Sequence, residues 1–358
     1  MHNSGLYLHI PFCQKKCAYC DFYSSFVSET LIDEYVGALS KEIKKWGGCF
    51  SRPIDTIYIG GGTPSLLGER IVPLLETVYS AFDVLPKAEI TAEMNPTGDS
   101  KDFLISAKRA GVNRLSIGVQ SADDKELKNL GRTHTALDAE KTVYIAREIG
   151  FSNISLDIMI GLPDSNVSKL EKSIDFILSL KPEHISSYIL KVEPNTALGK
   201  NTPLLPDDDE QAQQYLYMCE RFENAGYEHY EISNFSKVGF ESRHNTKYWK
   251  DCEYLGIGPA AHSFVDGKRF YYPRDLKAFM NNPETVADGD GGETEERIML
   301  GLRLNDGVDV SNYPQLEPFL INLQKAQLGK LQNGRFSLTD SGMLVSNSII
   351  AEILDILE

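Results

Sequence analysis

Three of the chain's six cysteines fall within eight positions, as Cys13-Gln-Lys-Lys-Cys17-Ala-Tyr-Cys20. Such crowding points to metal rather than to disulfides, because six cysteines in 358 residues are too few for a disulfide scaffold. A structural zinc site normally takes four protein ligands, and no second cysteine pair or nearby Cys-His pair completes one. A cubane 4Fe–4S cluster held by three thiolates keeps one iron open. An open iron can chelate the amino and carboxylate groups of a methionine moiety and bring its sulfonium beside a strong one-electron donor. Cleavage of S-adenosylmethionine to a 5′-deoxyadenosyl radical asks for that arrangement, three cysteines close together and no fourth. Cys49, Cys219 and Cys252 are isolated and read as packing residues.

Other residues with chemical potential recur at the ends of apolar runs. Gly61-Gly62-Thr63-Pro64 is a turn whose backbone can approach a ligand closely, although a plain tight turn explains it equally well. It has neither the lysine nor the helix start of a phosphate loop. Glu93 and Gln120 end two runs, Arg132 follows in the next loop, and Asp157 lies within a further run. A carboxylate suits ribose hydroxyls and an arginine suits a carboxylate; taken singly, each also reads as a solvated loop charge. His244-Asn-Thr-Lys-Tyr-Trp249 joins a histidine to two aromatics. That group could ligate heme iron and lie against a flat macrocycle, but from the residues alone a core histidine with packing aromatics is the stronger reading. His184, His229 and His262 are further candidate ligands or bystanders, and His9 reads as support for the cysteine loop.

Six short β-branched or aromatic runs must position these groups: Leu6–Ile10, Thr56–Gly60, Ile90–Asn95, Arg114–Gln120, Ile154–Gly161 and His184–Leu190. Helical spacing of apolar residues marks the segments between them, clearest at Leu31–Trp46, Ile71–Phe82, Phe103–Ala110, Ala139–Ile149 and Leu170–Leu180. Ser28-Glu29-Thr30 and Ser168 read as helix starts. Strand–helix alternation implies an α/β fold with a parallel sheet, and six units suit a partial (β/α)6 TIM-like barrel. Barrel enzymes place functional residues at the C-terminal ends of their strands. Asp207–Tyr227 reads as one long helix, Glu231–Pro273 has little periodicity, and Pro283–Glu296 looks like a linker. The expected division is a barrel core over 1–230, an extension with the His-Asn-x-x-Tyr-Trp element over 231–290, and a mainly helical, winged-helix-like module over 291–358. A short hairpin is expected around Asn333–Gly334.

Composition narrows the function classes. A net charge of −15 argues against broad nucleic-acid binding, which needs clustered Lys and Arg. From Thr294 to Glu358 there are five Lys or Arg against nine Asp or Glu, so the winged-helix-like module is not read as DNA-binding. Nothing approaches the roughly 18–20 apolar residues of a transmembrane helix, and the N-terminus lacks a secretory pattern. Cytoplasmic placement is expected, with membrane contact only through a partner.

Cys-x3-Cys-x2-Cys after a strand resembles the signature of the radical S-adenosylmethionine superfamily. The wider block from Tyr7-Leu-His-Ile-Pro-Phe-Cys13 to Asp21-Phe22 is similar to the branch that holds the oxygen-independent coproporphyrinogen III oxidases and the HemW-type heme chaperones. The similarity extends to Ser337-Leu-Thr-Asp-Ser-Gly342. It implies that Cys13, Cys17 and Cys20 ligate the cluster and that Gly61, Gly62 and Thr63 hold the methionine amino group. It also implies cofactor contacts for Glu93, Gln120, Arg132 and Asp157, with Tyr7 and Tyr19 packing around cofactor and cluster. Three departures favour the chaperones: Phe22 stands where the oxidases carry a further cysteine, the N-terminal arm is short, and His244-Asn-x-x-Tyr-Trp249 matches a chaperone element. The resemblance therefore implies a heme chaperone with His244 as heme ligand, a heme-acceptor protein and an electron donor as partners, and homodimerisation. Coproporphyrinogen oxidation is the alternative, and no catalytic side chain is assigned.

Overall fold

The computed structural model describes residues 3–96 and 100–357. Strand β1 (Ser4–Ile10) leads into the cysteine loop, whose flanks pair as β2 (Phe12–Cys13) and β3 (Ser25–Phe26). Then follow α1 (Glu29–Gly47), β4 (Ile54–Gly61), α2 (Ile71–Ala81), β5 (Val84–Met94), α3 (Lys101–Arg109) and β6 (Arg114–Gln120). The alternation continues through α4 (Asp124–Asn129), α5 (Ala136–Ile149), β7 (Ile154–Ile160), α6 (Val167–Ser179) and β8 (His184–Ile189).

All six expected runs are strands, and they lie side by side and parallel in the order β1-β4-β5-β6-β7-β8. Each helix covers the sheet with one stripe. In α1, Ile32, Tyr35, Leu39 and Ile43 recur at the spacing of one helical face and are buried. Local chemistry sets the helix starts: Ser28 accepts from the Leu31 amide before α1, and Thr135 and Asp138 form a reciprocal cap on α5. Helix α6 starts earlier than Ser168 suggests, because Asn166 caps it. Strand burial is nearly continuous on both faces, with Leu6, Leu8 and Ile10 fully enclosed. Side chains therefore fill the interior of the open barrel as well as the layer beneath the helices.

After α7 (Ala197–Lys200) and the long α8 (Asp208–Asn224), the chain departs from expectation. β9 (Glu228–Glu231) comes first, and the stretch that lacked periodicity then forms β10 (Asn234–Ser236), α9 (Arg243–Trp249), β11 (Tyr254–Ile257), β12 (His262–Val265) and β13 (Lys268–Tyr271). These strands extend both edges of the barrel sheet, β11 pairing parallel with β1 and β10 antiparallel with β8. Strands of three or four residues, largely buried on both faces, carry no alternation for a sequence reading to detect. Within the expected linker, after α10 (Leu276–Asn281), β14 (Val286–Asp290) is an exposed edge strand paired with β13.

The remaining chain comprises α11 (Thr294–Gly301), β15 (Val308–Asp309), α12 (Glu317–Lys325), β16 (Gly329–Gln332), β17 (Arg335–Leu338), α13 (Asp340–Leu344) and α14 (Ser346–Leu357). Asn333 and Gly334, both at positive φ (52° and 77°), close the expected hairpin between β16 and β17 as a tight two-residue turn. No helix among the described residues is long and apolar enough to cross a membrane.

Candidate functional site

The C-terminal ends of the parallel strands open into a cavity of about 1090 Å³. Pockets for one small ligand run to roughly 300–1,000 Å³, so this one exceeds the need of a single nucleoside-sized molecule. Cys13, Cys17 and Cys20 all line it from one side. Their loop is held from several directions. The Ala18 amide donates to the Leu130 carbonyl (2.9 Å), the Ala18 carbonyl accepts from the Leu198 amide (2.8 Å), and the Thr63 hydroxyl lies 3.6 Å from Cys13 Sγ. Burial pushes the Cys20 thiol above its ordinary pKa, a cost that metal ligation would offset.

Gly62 sits directly beneath this loop. A β-carbon there would stand 2.5 Å from the Phe12 carbonyl oxygen, so the close approach requires glycine. Gly61, at φ 114°, gives its amide to Glu93 Oε2 (3.1 Å), while the Tyr58 hydroxyl donates to Oε1 (2.8 Å). The turn and the first carboxylate are thus one unit. Burial, reinforced by Asp157, raises Glu93 to about 7 despite those two bonds. Asp157 accepts from Ser116 (3.0 Å) and is raised by burial to about 6. Two carboxylates in the strand-end cavity are therefore poised near neutrality, where a hydroxyl- or cation-bearing ligand can tip them.

Gln120 is aimed inward by a register shift between β6 and β7, and its φ of 73° is unusual for a side-chain-bearing residue. Beside it, Arg132 donates to Asn95 Oδ1 (2.6 Å) and lies 6.0 Å from the Tyr19 ring, while its buried Nε has no partner. Asn95 in turn donates to Thr63 (3.1 Å), linking Arg132 to the glycine turn. Tyr7 donates to His9 Nδ1 (2.9 Å), and His9 Nε2 donates to the Tyr23 carbonyl (3.0 Å). His9 therefore braces the loop as expected, and burial lowers it to about 4.

The cavity thus gathers Tyr7, Cys13, Cys17, Tyr19, Cys20, Gly61, Gly62, Thr63, Glu93, Gln120, Arg132 and Asp157. Sequence reasoning missed Asn95 and Arg114. Asn95 ends the expected run Ile90–Asn95, two residues after Glu93, and was within reach. Arg114, fully buried with Nε and Nη1 unpartnered, carries no signal along the chain.

His244, the expected heme ligand, is placed apart from these residues. It does not line the cavity; it is fully buried at the start of α9. Both ring nitrogens are occupied, Nδ1 with Thr56 Oγ1 (2.8 Å) and Nε2 with Tyr248 Oη (2.9 Å). Burial lowers it to about 3, and Glu89 fixes its helix by accepting from the Arg243 and His244 amides (3.0 Å each). Ligation there would require one ring nitrogen to give up its hydrogen bond, Nε2 being the one whose partner, Tyr248, lines the cavity.

The donor set fits the cofactors that the motif implies: three thiols on one loop, a glycine turn that a β-carbon would fill, and an orphaned arginine nitrogen. A thiol loop at the mouth of an open (β/α)6 barrel places the chain among the radical S-adenosylmethionine proteins. Residues 7–177 match the model of the Radical SAM superfamily, and residues 293–345 match the HemN C-terminal domain. The chain is 36% identical over 374 aligned positions to heme chaperone HemW of Bacillus subtilis (strain 168), covering 97% of this chain and 98% of that one. It is 41% identical over 276 positions to heme chaperone HemW of Escherichia coli (strain K12), covering 74% and 71%. The chain belongs to the HemW family. Its fold is shared with coproporphyrinogen III oxidase (HemN) from Escherichia coli, with a TM-score of 0.83 at 22% identity, covering 98% of this chain and 89% of that one.

Proposed function

We propose that this chain is a heme chaperone: it binds heme, holds a 4Fe–4S cluster with S-adenosylmethionine, and delivers heme to an acceptor protein. The observation that carries this reading is the near full-length similarity to heme chaperones, joined to a single cavity that collects the thiol loop and the expected cofactor residues. Phe22, 70% exposed beside the loop, stands where the oxidases have a further thiol. In this proposal Cys13, Cys17 and Cys20 hold three irons, and Gly61, Gly62 and Thr63 cradle the methionine amine. Arg132, oriented by Asn95, faces the methionine carboxylate, Glu93 and Asp157 take the ribose hydroxyls, and Gln120, Tyr7 and Tyr19 close around them. When bound, the cluster supplies an electron for cleavage of the cofactor's sulfonium bond. An external electron donor and a homodimer complete the proposal, with the barrel core at 1–230, its extension at 231–290 and the C-terminal module at 291–358.

The test is incubation of anaerobically reconstituted protein with reductant, S-adenosylmethionine and coproporphyrinogen III. The account expects no protoporphyrinogen IX. Decarboxylated product would make the protein an oxidase despite Phe22.

A further inference from the structure

We infer that His262, rather than His244, is the protein ligand to heme iron, at the rim of the cavity that holds the thiol loop; this rests on the heme-binding reading above. Elimination among the described histidines leaves one candidate. His9, His134, His184, His229 and His244 are all buried. His9 and His244 have both ring nitrogens engaged, and His184 joins Ser155 to Tyr230 (2.8 Å each). His134 and His229 do not line the cavity. His262 does line it, and its side chain is 60% exposed.

The local backbone sets His262 in place. The preceding turn holds Gly258 at φ 125° and Ala260 at φ 68°, a conformation that costs an alanine energy unless the surroundings impose it. They do: Gly258 is wedged against His9 and Tyr35, and the Ala260 amide donates to the Tyr272 carbonyl (3.0 Å). The first residue after this turn and Ala261 is His262, opposite Tyr271 in the β12–β13 ladder. The two rings stack at 5.1 Å and 25°, which fixes the imidazole plane. Asp288 on β14 places a carboxylate oxygen 3.9 Å from Nδ1. At that separation no hydrogen bond forms, so the imidazole is oriented by the Tyr271 stack and both ring nitrogens stay open to a metal.

The surroundings match the rest of a heme. Phe22 and Tyr271 offer ring surface on the same cavity, and Lys15, Lys16 and Arg274 offer cations for the two propionates. Arg274 also bonds the backbone carbonyl of Asp21, so the His262 wall and the thiol loop are physically joined.

The experiment titrates ferric heme into the reconstituted full chain, its His262→Ala variant and its His244→Ala variant, reading the Soret band, the spin state by electron paramagnetic resonance, and affinity. His262 is exposed, so its replacement leaves folding intact. The expected result is a shifted Soret band, a changed spin state and affinity at least about tenfold weaker for His262→Ala. His262→Met should restore binding with a different spectrum, the signature of a ligand exchanged rather than a surface perturbed. A His262→Ala variant with wild-type spectrum and affinity would overturn the assignment while leaving the chaperone reading standing. A wild-type chain that binds no heme would overturn both.

Discussion

The segment around α9 and the turn before β12 each present a histidine among aromatic residues, yet they are built for opposite ends. At α9, His244 lies between Thr56 and Tyr248 with no exposed atom, and Gly5 is needed to make room, since a β-carbon there would come within 3.0 Å of the ring. At β12, His262 stacks on one ring and turns outward, with no hydrogen-bond partner at Nε2 among those described. The lesson is that a histidine's neighbours in sequence say little about its availability. What decides is whether each ring nitrogen already has a partner in space, because an occupied nitrogen must lose a bond before it can gain a metal.

The largest expected effect separates the cavity from everything else: replacing Cys13, Cys17 or Cys20 with alanine should abolish the cluster, read as lost iron and lost visible absorbance after reconstitution. Next, His244→Ala should cost about 2–4 kcal/mol of stability, because it leaves Thr56 and Tyr248 unpaired around a buried void. Chemical denaturation would show it. A smaller loss than about 1 kcal/mol would mean that the interior relaxes around the gap and that His244 is less central to packing than its bonds imply.

The third effect is a pH dependence at Glu93. Its folded pKa, about 7, lies above the ordinary carboxylate value, so its contribution to stability is fully present below the unfolded value and is lost as pH rises through about 7. Binding of ribose hydroxyls by the ionised carboxylate runs the other way. S-adenosylmethionine should bind up to about tenfold more weakly at pH 6 than at pH 8, and Glu93→Gln should flatten the profile. A last prediction concerns Gly62→Ala, where the added methyl meets backbone atoms of Phe12 and Ile10 and must push the thiol loop aside, lowering cluster occupancy. Equal occupancy in the variant would show that the loop yields.

Much of this was legible in the sequence where one element carries its own signal. Arg114–Gln120 is a strand at both expected ends, and Asn333–Gly334 is the expected turn. The thiol spacing located the site because the chemistry fixes both residue type and separation. What escaped depends on partners distant in the chain. Val286–Asp290 is acidic and exposed along its length, and it is a strand through its pairing with β13. Strand β11 lies beside β1 although about 250 residues separate them in sequence. Arg114 opens a strand like any other basic residue, and only the closed interior shows it to be a buried cation beside two carboxylates.

The most direct test of the account is a heme titration of the anaerobically reconstituted full chain, with iron content and heme absorbance measured on the same sample. Stoichiometric heme on cluster-loaded protein is the predicted result. Cluster-loaded protein that takes up no heme would contradict the central claim and leave a radical S-adenosylmethionine frame without its cargo.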